Sequence, residues 1–372
     1  MRLLILTQKV DINDDILGFF HRWIEEFAKR CEKVIVICLQ EGRHDLPSNV
    51  KVYSLGKREL KNYKIENSLK IENWKLKISR RILYTIRFYR LIWNLRYEYD
   101  SVFVHMNQEY VLLGGLFWKI FGKKVFMWRN HPYGNFLTYM AVFLSNKVFC
   151  TSKYSYTAKF KKTEIMPVGI DTNFFKLDPS VRKKENSILF LGRIAPVKNV
   201  AIFVEALKKL RDEGVEFSAM IAGKASDKFA KYEKMIRDKV LEYNLSDKVI
   251  FIGAVSKSEA LKLYREHEFY VNLTPSGSMD KTIFEALACE TMAIVENQSL
   301  EDSIPNEFFF DGSASDLANK IEYALSLPDE EKEKLGKLLK HKVMKKHSLE
   351  NLMNKLMATI VVGVSMGTKN TK

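Results

Sequence analysis

TPSGSMDKTIFEALACETMAIVEN, residues Thr274 to Asn297, changes pattern three times in one short stretch. The apolar run ending at Leu273 meets the turn cluster Thr-Pro-Ser-Gly-Ser, which stops a strand. A helix starts near Asp280, with Ser278 or Asp280 as its cap. Ile283, Phe284, Leu287 and Ala288 supply its apolar face, and Met292–Val295 reads as a short buried strand. The loop of this βαβ step lies at the carboxyl end of a strand, the edge at which open parallel sheets bind ligands. A helix N-terminus there favours an anionic group, and Glu285 in the second turn suits a sugar diol. The same residues also fit an ordinary βα loop with a solvated Glu285.

Working outward, strands and helices alternate in both directions. Upstream, Ser187–Gly192, Phe217–Ala222, Val249–Val255 and Phe269–Leu273 read as strands separated by helices. Ahead of them, residues 1–170 repeat the pattern, from a strand at Leu3–Thr7 to a closing strand at Ile165–Val168. The charged stretch Asp178–Glu185 reads as linker. The expectation is α/β: two Rossmann-like doubly wound domains facing across a cleft. Their bounds are 1–170 for the first domain, 171–186 for a hinge, and 187–348 for the second domain. Residues 349–372 form a C-terminal helix that could pack back on the first domain.

Apolar residues make up 47% of the 372, ample for packed cores. No stretch approaches the roughly 20 apolar residues of a membrane span, and MRLLILTQKV reads as a first strand rather than a leader, so a cytoplasmic protein is expected. Cys31, Cys38, Cys150 and Cys289 are scattered, which favours buried free thiols over disulfides or zinc, and no metal site is expected. A net charge of +15 points to an anionic partner. Residues 57–97 hold twelve Lys and Arg against three Glu, interleaved with aromatics, and turn helical near Trp74. Such a segment suits an anionic membrane surface, or is a surface helix packing its stripe on the sheet.

No G-x-G-x-x-G follows an opening strand and no P-loop is present, which argues against NAD, FAD and P-loop phosphotransfer. Instead, Gly192-Arg-Ile-Ala-Pro-Val-Lys-Asn199 offers a forked Arg193 and a point-charge Lys198, a pair able to neutralise a diphosphate. This segment resembles the G-R-x-x-x-x-K-[GN] of family 4 (group 1) glycosyltransferases of GT-B architecture. Met166–Phe175 resembles their hinge, and Thr274–Glu290 their E-x7-E region. The resemblance implies that Arg193 and Lys198 hold the donor diphosphate and Glu285 the ribose. Backbone of Gly277, Ser278, Met279, Lys281, Thr282 and Ile283 would form the donor loop. His131 would lie near the transferred sugar, and Gly18 in a loop on the acceptor side. One departure stands out: Gly277 replaces the first Glu of E-x7-E, and Asp280 is the candidate to take over its role from a shifted position.

The implied activity is transfer of a sugar from a nucleotide-diphosphate sugar, UDP or GDP type, to a hydroxyl acceptor with retention. No permanently bound cofactor is implied. A saccharide or lipid-linked acceptor, and contact with an anionic membrane at the inner face through residues 57–97, complete the reading. No nucleic acid is expected. A non-catalytic nucleotide-sugar-binding protein and a nucleotide-sugar epimerase of the same fold remain the alternatives.

Overall fold

Strand–helix alternation yields two separate parallel sheets in the computed structural model, which describes residues 1–14, 16–57, 72–277 and 279–368. Side chains are described for these except 72–79 and 364–368. The chain divides into two units, Met1–Met166 with Met353–Lys372, and Pro167–Leu352.

Unit 1 carries seven strands: β1 Arg2–Val10, β2 Lys33–Glu41, β3 Val50–Ser54, β4 Ser101–His105, β5 Lys124–Trp128, β6 Lys147–Cys150 and β7 Thr163–Ile165. They pair in the order β3-β2-β1-β4-β5-β6-β7, all parallel. Leu3–Leu6 and Val34–Cys38 are fully buried, as expected of strands covered on both faces. The covering helices are α1 Gly18–Arg30, α2 Glu72–Asn94, α3 Gln108–Ile120 and α4 Phe136–Leu144. The end of the chain joins them. In α11 (Leu349–Thr368; α5 to α10 follow below), Leu356 and Ile360 are buried, and Lys355 Nζ donates to Ile165 O at 2.7 Å.

The basic segment does two things at once. On α2, Phe88 and Ile92, with Leu95 just beyond, turn into the core, while Ile82, Ile86, Tyr89 and Trp93 form a second, exposed stripe. Residues 58–71 of that segment lie outside the described residues.

Unit 2 carries β8 Lys184–Leu191, β9 Ser218–Ala222, β10 Val249–Gly253, β11 His267–Asn272 and β12 Met292–Val295, in the parallel order β10-β9-β8-β11-β12. Its helices are α5 Val200–Asp212, α6 Ala230–Glu242, α7 Lys257–Glu266, α8 Lys281–Ala288, α9 Ala314–Ser326 and α10 Asp329–His347. In both sheets the order reverses beside the first strand, between β1 and β4 and between β8 and β11. Such a reversal opens a crevice beyond the strand ends.

Two expected boundaries move. The strand expected at Ile165–Val168 is Thr163–Ile165, and the apolar Val168 and Ile170 are buried without pairing in a sheet. The Gly169 and Ile170 amides donate instead to His347 O at the end of α10, at 3.1 and 2.9 Å. Strand β8 begins inside the charged stretch expected to be linker. Lys183 is the reason: its ammonium is drawn inward to His267 O and Thr291 Oγ1, both at 2.8 Å. Burial pulls its pKa down to about 8. All four cysteines are free and buried.

Candidate functional site

Residues that follow β8 and β11 meet at the switch point of unit 2. After β8, Gly192 and Arg193 lead into a short turn, Pro196–Lys198, and then to Asn199 in the left-handed region (φ 49°), which opens α5. After β11, Asn272, Thr274 and Asp280 lead into α8. Lys198 bridges the two: its Nζ lies 2.8 Å from Thr274 Oγ1 and 2.5 Å from Asp280 Oδ2.

Asp280 stands at the N-cap position of α8, but its side chain caps nothing. The carboxylate is drawn to Lys198 and also accepts from Asn272 Nδ2 at 3.2 Å and Thr282 Oγ1 at 3.0 Å. Tyr270 continues the network, donating to Thr282 Oγ1 at 2.7 Å and accepting from Asn272 at 2.9 Å. Burial alone would raise the Asp280 carboxyl. The charge and hydrogen bond of Lys198, with the bonds from Asn272 and Thr282, outweigh it and hold the group below the usual range.

Arg193 is exposed, and among the described residues it makes no ion pair or hydrogen bond. Neither α5 nor α8 carries an acid in its first turn; the start of α5 keeps its positive character, and at α8 the N-cap carboxylate of Asp280 offsets part of it. Side-chain bulk is absent where it would intrude. Gly192, Gly223 and Gly253 lie at the carboxyl ends of three adjacent strands, and a Cβ on Gly223 (φ 141°) would fall 1.9 Å from Gly192 O. Only glycine fits there.

Glu285 lies one turn past Lys281 and accepts from Tyr264 OH at 3.4 Å. Burial raises the Glu285 carboxyl and lowers the Lys281 amine, each against the attraction of the other. Lys281 Nζ donates to Val168 O at 3.0 Å and Gly169 O at 3.2 Å. Thr282 belongs to the Asp280 network, Ile283 is fully buried, and Met279 packs on the core. Gly277 is buried with φ 130°, a conformation that rejects the glutamate the family pattern would put there. Ser278 lies outside the described residues.

The other two expected residues belong to unit 1. His131 follows β5, is exposed, and sets Nδ1 3.0 Å from the Tyr133 amide. Gly18 opens α1, where a Cβ would lie 3.0 Å from Ile12 O. Sequence reasoning missed Asn272, Tyr270, Gly223 and Glu296. The last follows β12 beside Asn199; burial raises its carboxyl, and its Oε2 is buried without a partner among the described residues. Glycines ending successive strands were the signal available for Gly223.

Residues 171–341 match the family described as glycosyl transferases group 1. Over 176 residues the chain is 24% identical to the alpha-monoglucosyldiacylglycerol synthase of Streptococcus pneumoniae, covering 46% of this chain and 38% of that one. Over 106 residues it is 24% identical to the lipopolysaccharide core biosynthesis mannosyltransferase LpcC of Rhizobium leguminosarum bv. viciae, 28% of this chain and 30% of that one. The chain thus aligns with about a third of the length of these relatives. Anabaena HepE in complex with UDP and glucose superposes with a TM-score of 0.72 at 16% identity, over 97% of this chain and 99% of that one. The sucrose-phosphate synthase of Thermosynechococcus elongatus gives 0.73 at 15%, over 96% and 98%. The fold is that of the GT-B glycosyltransferases.

Proposed function

We propose that this chain, whose residues 171–341 match the group 1 glycosyltransferases, moves a sugar from a nucleotide-diphosphate sugar to a hydroxyl acceptor with retention of anomeric configuration. The observation that carries the reading is the convergence of Lys198, Arg193 and two helix N-termini at the β8/β11 switch point. When the anomeric carbon leaves the diphosphate, negative charge builds on the departing phosphate oxygens. Fixed positive groups at that point lower the barrier because they need no reorganisation. In this reading Arg193 and Lys198 hold the diphosphate, Glu285 the ribose hydroxyls, and the backbone of residues 277–283 lines the donor. His131 serves the sugar and Gly18 the acceptor side. The donor is of UDP or GDP type; a HepE complex holding UDP supports the nucleotide class.

The acceptor we favour is a lipid-linked or cell-surface saccharide, met at an anionic membrane surface through the basic segment 57–97. The names of the synthase and mannosyltransferase relatives support a glycolipid-type acceptor. Among the described residues no helix is long and apolar enough to cross a membrane.

Calorimetric titration of wild type and Glu285→Ala with UDP, GDP, ADP and their sugars tests the donor half. Loss of a hydrogen bond to a charged group is worth about 1.5–3 kcal/mol, roughly a tenfold to hundredfold loss of affinity. Binding of no diphosphate would sink the proposal. Binding without turnover on any acceptor would favour the non-catalytic reading that Gly277 raises.

A further inference from the structure

We infer that unit 1 docks on an anionic lipid bilayer through one continuous face built by α2, α3 and α4, wider than the basic segment alone. The inference deepens the membrane part of the proposed function and does not depend on the transfer chemistry.

Three helices each leave an apolar stripe exposed. On α2 it is Ile82, Ile86, Tyr89 and Trp93, at helical spacing and on a different side from the buried Phe88 and Ile92. On α3, Leu113, Leu116 and Ile120 recur at the same spacing, with Leu116 63% and Ile120 81% exposed. On α4, Phe136 is 72% and Phe143 60% exposed. The stripes adjoin. Trp93 packs its ring on Phe117 and Phe121 at 6.2 and 6.0 Å, and Tyr89 OH donates to Leu113 O at 2.9 Å. Gly115 lets α3 press on α4, since a Cβ there would lie 3.0 Å from Leu144 Cβ.

Single exposed apolar side chains are ordinary, but a contiguous patch with this composition marks an interaction surface. Charge identifies the occupant. Residues 80–97 hold five arginines and no acid, and residues 108–147 hold five Lys and Arg with Glu109 as their one acid. Two of these cations lie against aromatics of the face: Arg96 lies 4.4 Å from the Trp93 and Tyr97 ring centres, and Lys119 lies 5.9 Å from that of Phe143. Lys162 Nζ donates to Val142 O at 3.0 Å and Ser145 O at 2.8 Å at the end of α4. Aromatics at the depth of lipid headgroups, ringed by Arg and Lys, match a negatively charged interface. The face also runs into the loop of His131, because Asn135 caps α4 and the exposed Tyr133 lies between them. A hydroxyl acceptor resident in the membrane would thereby reach the loop from the lipid plane.

The test is co-sedimentation of the full chain with phosphatidylglycerol-rich and pure phosphatidylcholine vesicles, for wild type and a Leu116→Glu/Ile120→Glu/Phe143→Glu variant. Wild type should be retained by the anionic vesicles and released by salt. The variant should lose at least about tenfold in retention while keeping its melting temperature and its UDP or GDP binding. An Arg81→Gln/Arg90→Gln variant, at two exposed arginines of α2, should weaken retention in the same direction without altering any apolar residue of the face. No retention of wild type, or equal retention of the Glu variant, overturns the inference. So does a concentration-dependent dimer that the Glu variant abolishes with no vesicle binding, which would assign the face to a second copy of the chain. Retention without nucleotide binding would instead leave the docking face standing and remove the transferase reading.

Discussion

Asp280→Ala is the perturbation that asks most of the switch-point network. The carboxylate accepts from Lys198, Asn272 and Thr282, and removing it leaves the Lys198 ammonium with Thr274 Oγ1 as its recorded partner. Breaking a fully buried pair costs about 3–5 kcal/mol, whereas an exposed pair is worth about 1 kcal/mol or less. The Lys198 and Asp280 side chains are each 19% exposed, which puts this pair between the two, at about 2–3 kcal/mol. For a body of 150–250 residues that is about 5–10 °C in melting temperature. The loss should depend on ligand. In the proposed function the donor diphosphate supplies an anion to the same ammonium, so saturating UDP or GDP should narrow the gap between variant and wild type. Differential scanning fluorimetry with and without nucleotide measures both effects. A variant that melts within about 1 °C of wild type would show that the pair contributes little. A large gap that saturating nucleotide leaves unchanged would refute the claim that phosphate and Asp280 share Lys198.

Three further outcomes follow from particular contacts. His347 is half-buried against Phe284 at 4.6 Å, accepts from the Val168 amide at 3.4 Å, and has its pKa lowered to about 4, by desolvation first and Lys346 second. A depressed histidine contributes stability above its unfolded pKa near 6.5 and loses it as pH falls towards 4. Urea denaturation should therefore show about 3 kcal/mol lost across that window, and a flatter profile for His347→Asn. Gly223→Ala forces a Cβ within 1.9 Å of Gly192 O at φ 141°, so its urea midpoint should drop by an amount worth at least about 2 kcal/mol; an unchanged midpoint would mean that the strand ends can part. His131→Ala should leave nucleotide affinity intact and lower turnover by about a hundredfold; full turnover would remove His131 from the reaction.

How much of this was legible depends on what each residue's signal is made of. Periodicity is a local property, and where it dominates the boundaries hold: Met292–Val295 forms as the pattern predicts, and the helix expected near Asp280 begins at Lys281. Lys183 fails the same logic, because its charge marks it for solvent. The groups that make burial possible, His267 O and Thr291 Oγ1, are more than eighty residues away in the chain. The candidate site divides along the same line. Arg193, Lys198 and Glu285 were visible as residue types at fixed spacing. That Asp280 faces Lys198 was not, since the pair is made by the neighbouring of β8 and β11, two strands separated in sequence by two others. Gly277 shows how the two kinds of information combine. The sequence marks a missing glutamate, and the backbone at φ 130° predicts that a Gly277→Glu side chain strains the loop as it stands. In the proposed function the sugar contact left open by the missing glutamate passes to Asp280, whose carboxylate is held ionised beside Lys198.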